Sequence, residues 1–187
     1  MTSKMNSKLA TELNVQVNTL IQDSPNDRIT TQSVVTLAPL LAKFALTRLN
    51  QAYYYLIQDP NGALLRETFI HPTQFTAETT GERTIVFAFP TLEEADLNRD
   101  SGLNADYLAV RTPTLEILFR FWALNWCDAV VFLDVGQGPD RRTDRKLDQT
   151  AQQTVTHEAL TTFLQKELAT PTQQPRRSGG QGFGTVC

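Results

Sequence analysis

The sequence predicts an α+β protein, a single domain in which helices pack on a mixed sheet of roughly five strands. Several segments repeat apolar residues every three or four positions, as amphipathic helices do, and others are short β-branched and aromatic runs bounded by turn signals. A hairpin followed by strand, helix, strand, helix and strand implies both antiparallel and parallel neighbours in the sheet. The 187 residues, of which 41% are hydrophobic, are enough for one folded domain.

The chain begins with two predicted helices. Apolar residues recur at helical spacing over residues 9–21, and a turn sequence rich in Asp, Ser, Pro and Asn follows. A second helical pattern covers residues 34–49. Pro39 is acceptable in this helix only near its first turn, because proline removes a backbone donor from a helix interior.

The middle of the chain alternates between strands and helices. Residues 53–57 and 64–70 lie on either side of an Asp-Pro-Asn-Gly turn and are typical of a hairpin, and residues 83–89 predict a third strand. Thr91 and Glu94 have the spacing of a capping box, in which two side chains bond the free backbone donors of a helix start. A short acidic helix is therefore predicted after the third strand.

A fourth strand and a central strand follow. Residues 106–110 predict the fourth strand, after which Thr112 is expected to cap a helix that has Pro113 at its first position. Residues 129–133 are almost all apolar, as in strands that are covered on both faces. This run is predicted to be the central strand.

The domain boundaries follow from these elements. After a polar segment, the last helix is expected to begin near Thr154 or Thr156. We assign residues 34–169 to the α+β domain and residues 1–33 to an amino-terminal amphipathic helix and loop. Residues 170–187 are rich in Gly and Pro and poor in apolar residues, so we predict a disordered tail.

Charge and cysteine placement restrict the class of protein. Seventeen Lys and Arg against twenty Asp and Glu give a net charge of −3, so no nucleic-acid partner is expected. Cys127 lies in an apolar run and Cys187 ends the tail, a placement that favours a reducing cytoplasm over a disulfide framework. The longest uncharged stretch, residues 29–42, is too short and too polar for a membrane span, and no secretory signal is expected.

The sequence contains no evident catalytic or metal-binding group. His71 and His157 are its only histidines, and neither has a second His or a Cys at ligand spacing. Cys127 is expected to be a small buried apolar group rather than a nucleophile. We expect no catalytic residues, no metal and no cofactor. The working hypothesis therefore favours a binding protein over an enzyme.

One Gly-rich stretch indicates a ligand site. A carboxylate and a Gly-rich turn at the carboxyl end of a buried strand is where α/β sheets often hold ligands. The alternative is that the glycines only turn the chain while the carboxylate accepts backbone donors. The candidate residues for binding a small ligand or metal are Asp134, Gly136, Gly138 and Asp140.

The helix after Pro113 is apolar around most of its circumference. Something must cover its second face: either another helix of the same chain, or a partner protein or second copy. The candidate interface residues are Ile117, Phe121, Leu124 and Trp126.

Three segments resemble the amino-terminal domain of the SseB family of bacterial proteins. They are a helix running into a strand at residues 44–57, a strand end and helix cap at residues 89–94, and a strand end and loop at residues 133–136. The resemblance implies the fold and provides no catalytic residues. Our leading hypothesis is a non-catalytic cytoplasmic protein with an adaptor, regulatory or assembly role, acting on a protein partner or on a second copy as a homodimer. An enzyme or small-ligand binder is the alternative.

Overall fold

The computed structural model describes residues 2–25, 27–69, 83–100, 106–135 and 152–169. Within these residues it contains five helices and six strands, which confirms the α+β class. The helices are α1 Thr2–Gln22, α2 Arg28–Arg48, α3 Leu92–Asp100, α4 Thr114–Leu124 and α5 His157–Ala169. The strands are β1 Tyr53–Gln58, β2 Glu67–Phe69, β3 Arg83–Ala88, β4 Leu108–Pro113, β5 Ala129–Leu133 and β6 Gln152–Thr156.

The strands form two sheets where the sequence predicted one. β1 and β4 make an antiparallel pair, and the second sheet has the order β2-β3-β5-β6. Its β3–β5 pair is parallel and the other two pairs are antiparallel, so the predicted mixed orientation is present. Within the described ranges one isolated bridge links the two sheets: Tyr55 and Phe89 exchange two backbone hydrogen bonds of 2.8 and 2.9 Å.

The larger sheet is buried on both faces. One face carries Val86, Val130 and Phe132 and packs against α1, α2, α4 and α5 in the larger hydrophobic cluster. The opposite face carries Phe87 and Val131 and packs with residues of α3, β1 and β4. All five residues of β5 are buried, as the sequence predicted for the central strand.

The amino-terminal helix belongs to the same packed body. Leu9 and Leu13 of α1 lie in the larger cluster. Gln16 is only 4% exposed; its Nε2 donates to the carbonyl of Ala52 at 2.5 Å, and its Oε1 accepts from the N–H of Leu115 at 3.0 Å. α1 therefore packs on its own chain rather than on a partner.

The second helix begins earlier than the sequence pattern indicated. Asp27 caps α2 by accepting a hydrogen bond from Thr30 N at 2.8 Å, so residue 34 lies inside this helix. Pro39 is in the helix interior instead of the first turn. It is tolerated because Pro39 and Val35, whose carbonyl loses its usual helical donor, both face solvent.

α2 is also the one described helix that is long and apolar enough to cross a membrane. α2 has 21 residues, and an 18-residue stretch of it has a mean hydropathy of 1.4. This is weak evidence for a membrane span, because core helices of soluble proteins and signal sequences are equally long and apolar. Leu37, Leu41 and Phe44 of α2 are buried in the larger cluster. This packing is that of a core helix in a small globular domain.

Two element boundaries differ from the prediction. β4 continues to Pro113, and α4 starts at Thr114 without a side-chain cap. The Thr112 hydroxyl donates instead to the carbonyl of Val110 at 3.1 Å. The N–H of Thr114 is satisfied by the Ala52 carbonyl at 2.9 Å, so the helix start is bonded by the loop before β1 and needs no cap from Thr112.

Candidate binding site at the edge of the small sheet

The predicted interface on α4 is wrong for two of its four residues. Ile117 is 1% exposed and Phe121 is 0% exposed, because α1, α2 and α5 cover this helix within the chain. The Phe121 ring meets the rings of Trp126 and His157 edge to face, at centroid distances of 6.3 and 5.9 Å. Trp126 is half-buried against the same cluster, whereas Leu124 is 69% exposed.

Of the four predicted ligand residues, the structure describes only Asp134. Asp134 follows β5 and accepts a hydrogen bond from the Asn50 amide, whose oxygen accepts from the Tyr54 hydroxyl at 3.0 Å. Burial, and then the charge of Asp134, raise the pKa of Tyr54 well above its ordinary value. Gly136, Gly138 and Asp140 lie outside the described residues, so a site in this loop stays a prediction.

His157 and Cys127 both contact groups of the surrounding fold. His157 places Nε2 3.2 Å from the Trp122 carbonyl and Nδ1 3.4 Å from the Thr161 hydroxyl. Burial raises the pKa of the Cys127 thiol to about 12, and its sulfur donates to the Ala129 carbonyl. In the part of the chain that the structure describes, no group of three or more His, Cys, Asp or Glu could hold a metal ion. His71 is outside that part.

An open cleft of about 450 Å³ lies beside the small sheet. Its walls include Lys8 and Glu12 of α1, Asn50 of the α2–β1 loop, Tyr53 of β1 and Arg111 of β4. Lys8 and Glu12 face each other at 3.9 Å on the solvent side. The cleft therefore has an aromatic floor, amide groups and more positive than negative charge.

Arg111 is the cation in this cleft that has no counter-ion among the described residues. Its guanidinium carbon lies 3.9 Å from the centroid of the Tyr53 ring, a cation–π contact, and its side chain is exposed. Among the described residues no carboxylate pairs with it. Stacking fixes the guanidinium plane and leaves its N–H groups free to bind an oxyanion.

One backbone edge of β4 is unpaired by any strand that the structure describes. Tyr55 uses its N–H and carbonyl to bond Phe89, away from β4, and Ile57 uses its carbonyl in the same direction to accept from Leu65 N at 2.8 Å. In an antiparallel ladder the opposing residues then also point outward. Arg111 opposes Tyr55 and Ala109 opposes Ile57, so their backbone groups face away from β1. Within the described ranges these groups have no hydrogen-bond partner.

The side chains of β4 differ between its two faces. Leu108 and Val110 are 55% and 37% exposed on one face. Ala109 and Arg111 lie on the other face, where Ala109 packs against the smaller hydrophobic cluster and Arg111 lines the cleft. This edge was not predicted from the sequence, because the predicted strand ended at residue 110 and excluded Arg111, whereas β4 continues to Pro113.

Comparison with protein-family models, with curated proteins and with solved structures finds no match to this chain. The resemblance to the SseB family therefore stays a prediction, and the function must be inferred from the geometry of the chain.

Proposed function

We propose that this chain is a non-catalytic cytoplasmic binding protein that takes up an extended segment of another protein as an additional strand beside β4. The observation that carries the proposal is the unpaired backbone of Ala109 and Arg111, which offers two donors and two acceptors in the geometry of a sheet edge. Backbone bonds of this kind supply affinity for an extended chain, which is one way in which an adaptor or assembly protein binds its partner.

The side chains of β4 make its edge a better binding site than the edge of β6, the terminal strand of similar length in the larger sheet. β6 pairs with β5 alone among the described strands, but its exposed residues Gln153 and Thr154 are polar. β4 presents Leu108 and Val110, which are apolar and partly uncovered. Edge strands that avoid association carry charged side chains, Pro or bulges in their interior. Residues 108–112 contain no Pro, and their one charged residue, Arg111, lies over the Tyr53 ring.

Hydrogen exchange measures the occupancy of this edge directly. In the free protein, the amides of Ala109 and Arg111 should exchange quickly, and those of Val110 and Thr112 should exchange slowly because they bond β1. Peptides selected from a random display library should protect the amides of Ala109 and Arg111 when they bind. Selected peptides that protect other amides instead, or failure to select any, would overturn the proposal.

A proline pair supplies the matched control. Ala109→Pro removes an outward N–H and should weaken peptide binding more than about tenfold while the fold is kept, because proline is tolerated on the open side of an edge strand. Val110→Pro removes an N–H that bonds β1 and should lower stability by about 3 kcal/mol. A second copy of the chain could occupy the edge in place of another protein. In that case protection of the Ala109 and Arg111 amides would grow with protein concentration, and sedimentation would show a dimer.

A further inference from the structure

We infer that the segment accepted by β4 alternates acidic and apolar side chains, with an acidic residue opposite Arg111 on the cleft face. This inference rests on the proposed function and deepens it by assigning the chemistry of the partner. Backbone bonds fix where an added strand lies, and the side chains on the two faces of β4 decide which strand fits.

The cleft face selects for a carboxylate. A residue of the added strand opposite or diagonal to Arg111 places its side chain within reach of the guanidinium. The Tyr53 ring, whose centroid is 3.9 Å from the guanidinium carbon, already restrains the Arg111 side chain. Binding a partner therefore costs little further side-chain entropy at Arg111. Since no described carboxylate pairs with Arg111, an incoming Glu or Asp displaces no internal ion pair.

The other face selects for apolar residues. Leu108 and Val110 leave 55% and 37% of their surfaces exposed, and their neighbour in the sheet, Leu56, is buried in the larger cluster. An added strand with apolar side chains on this face would cover Leu108 and Val110 and extend that cluster outward. Because strand side chains alternate between faces, the two preferences combine into a pattern with a period of two.

Three octapeptides of defined composition test this pattern. We would measure fluorescence anisotropy with labelled peptides of alternating Glu and Val, of alternating Lys and Val, and of four Glu followed by four Val. The alternating Glu/Val peptide should bind at least about fivefold more tightly than either of the others. Equal binding of the Glu/Val and Lys/Val peptides overturns the inference, and equal binding of the block peptide overturns the alternation.

Charge variants assign the preference to one side chain. Arg111→Gln should weaken binding of the Glu/Val peptide by about fivefold, and Arg111→Glu should reverse the preference towards Lys/Val. Arg120→Gln is the matched control, because Arg120 is on α4 and pairs with Glu116 at 2.7 Å, so the same loss of charge there should leave binding unchanged. Glu/Val binding that survives Arg111→Gln unaltered overturns the inference.

The proposed function fails separately from this inference. If the unmodified protein binds the Glu/Val and Lys/Val peptides equally and Ala109→Pro abolishes binding of both, strand addition at β4 stands and the acidic preference is wrong. If Ala109→Pro leaves binding of the Glu/Val peptide intact, the peptide does not use the β4 edge, and both the proposed function and the inference are overturned.

Discussion

Gln16 is a single buried amide that joins three parts of the chain. It lies on α1 and bonds the backbone just before β1 and the backbone at the start of α4. Such a position is not recognisable in the sequence, where Gln16 only interrupts an apolar pattern. Its partners are fixed by tertiary packing, and local spacing carries no information about them.

Replacing Gln16 tests the importance of this amide for stability. Gln16→Leu preserves most of the volume but leaves the buried N–H of Leu115 without its acceptor, so the free energy of unfolding should fall by about 2 kcal/mol. Asn18→Leu, on the exposed side of the same helix, should change it by less than about 0.5 kcal/mol. Urea denaturation measures both values, and equal effects of the two variants would contradict the assignment.

The raised pKa of Tyr54 predicts how the free energy of unfolding changes at alkaline pH. Burial and the charge of Asp134 raise its pKa above the ordinary value of 10.0, so the folded state holds the phenolic proton more tightly than the unfolded state. This contribution is complete below pH 10 and is lost as the pH rises further. In a Cys127→Ala background, which removes the other buried group with a raised pKa, Tyr54→Phe should make that decline shallower by up to about 1.4 kcal/mol per pH unit. Unfolding curves between pH 9 and 11 with the same slope in both proteins would exclude this explanation.

At the scale of elements, two helix starts that depend on a capping side chain nearby in sequence were predicted correctly. The predicted cap at Thr91 is present, since its hydroxyl accepts from Glu94 N at 3.3 Å, and Thr156 accepts from Ala159 N at the start of α5. β6 was missed because its residues are mostly polar. Among residues 153–156 only Val155 is buried, and the pairing of β6 with β5 supplies the stability that its composition lacks.

The proposed binding site also depends on pairing that local sequence does not determine. Tyr53 and Arg111 are far apart in the sequence and meet only because β1 and β4 pair in one register. The turn signal predicted residues 64–70 as the hairpin partner of β1, which is wrong, because β1 pairs with β4 and β2 pairs with β3. Sequence reasoning could therefore find the strands and not the cation–π pair that their register creates.

Two variants of α4 distinguish a buried from an exposed face. Phe121→Glu places an unpaired carboxylate in the larger cluster and should lower the free energy of unfolding by about 4 kcal/mol or more. Leu124→Glu, on the exposed end of the same helix, should have an effect below about 0.5 kcal/mol. Thermal melts test this pair, with sedimentation as a second measurement. A stable Phe121→Glu variant that has merely lost self-association would restore the interface predicted from sequence.

At the scale of the whole molecule, α1 and α2 close one side of the larger cluster. The sequence boundary at residue 34 separated α1 from the domain because the turn after residue 21 resembles a linker. The two helices nevertheless pack against each other and against α4. A turn signal marks where a helix ends, but only the buried face decides whether that helix belongs to the core.

Deleting residues 1–22 tests whether α1 is integral to the domain. The deletion removes Leu9 and Leu13 from the larger cluster and the acceptor of Leu115 N, a loss comparable to the total stability of about 5–15 kcal/mol of a typical domain. The truncated chain should show no cooperative thermal transition. Val15→Ser, which changes a residue of α1 that is 56% exposed, should melt within about 2 °C of the full chain. A truncated protein with an unchanged melting temperature would show that α1 is dispensable.

The bond between Gln16 and Leu115 also determines when the chain can finish folding during its synthesis. The two residues are 99 positions apart, and α1 is made first. At about 5–20 residues per second, a ribosome takes roughly 5–20 s to reach Leu115 after Gln16. During that interval the apolar side of α1 has no α4 to pack against, so the nascent chain displays a helix suited to chaperone binding before its native neighbour exists.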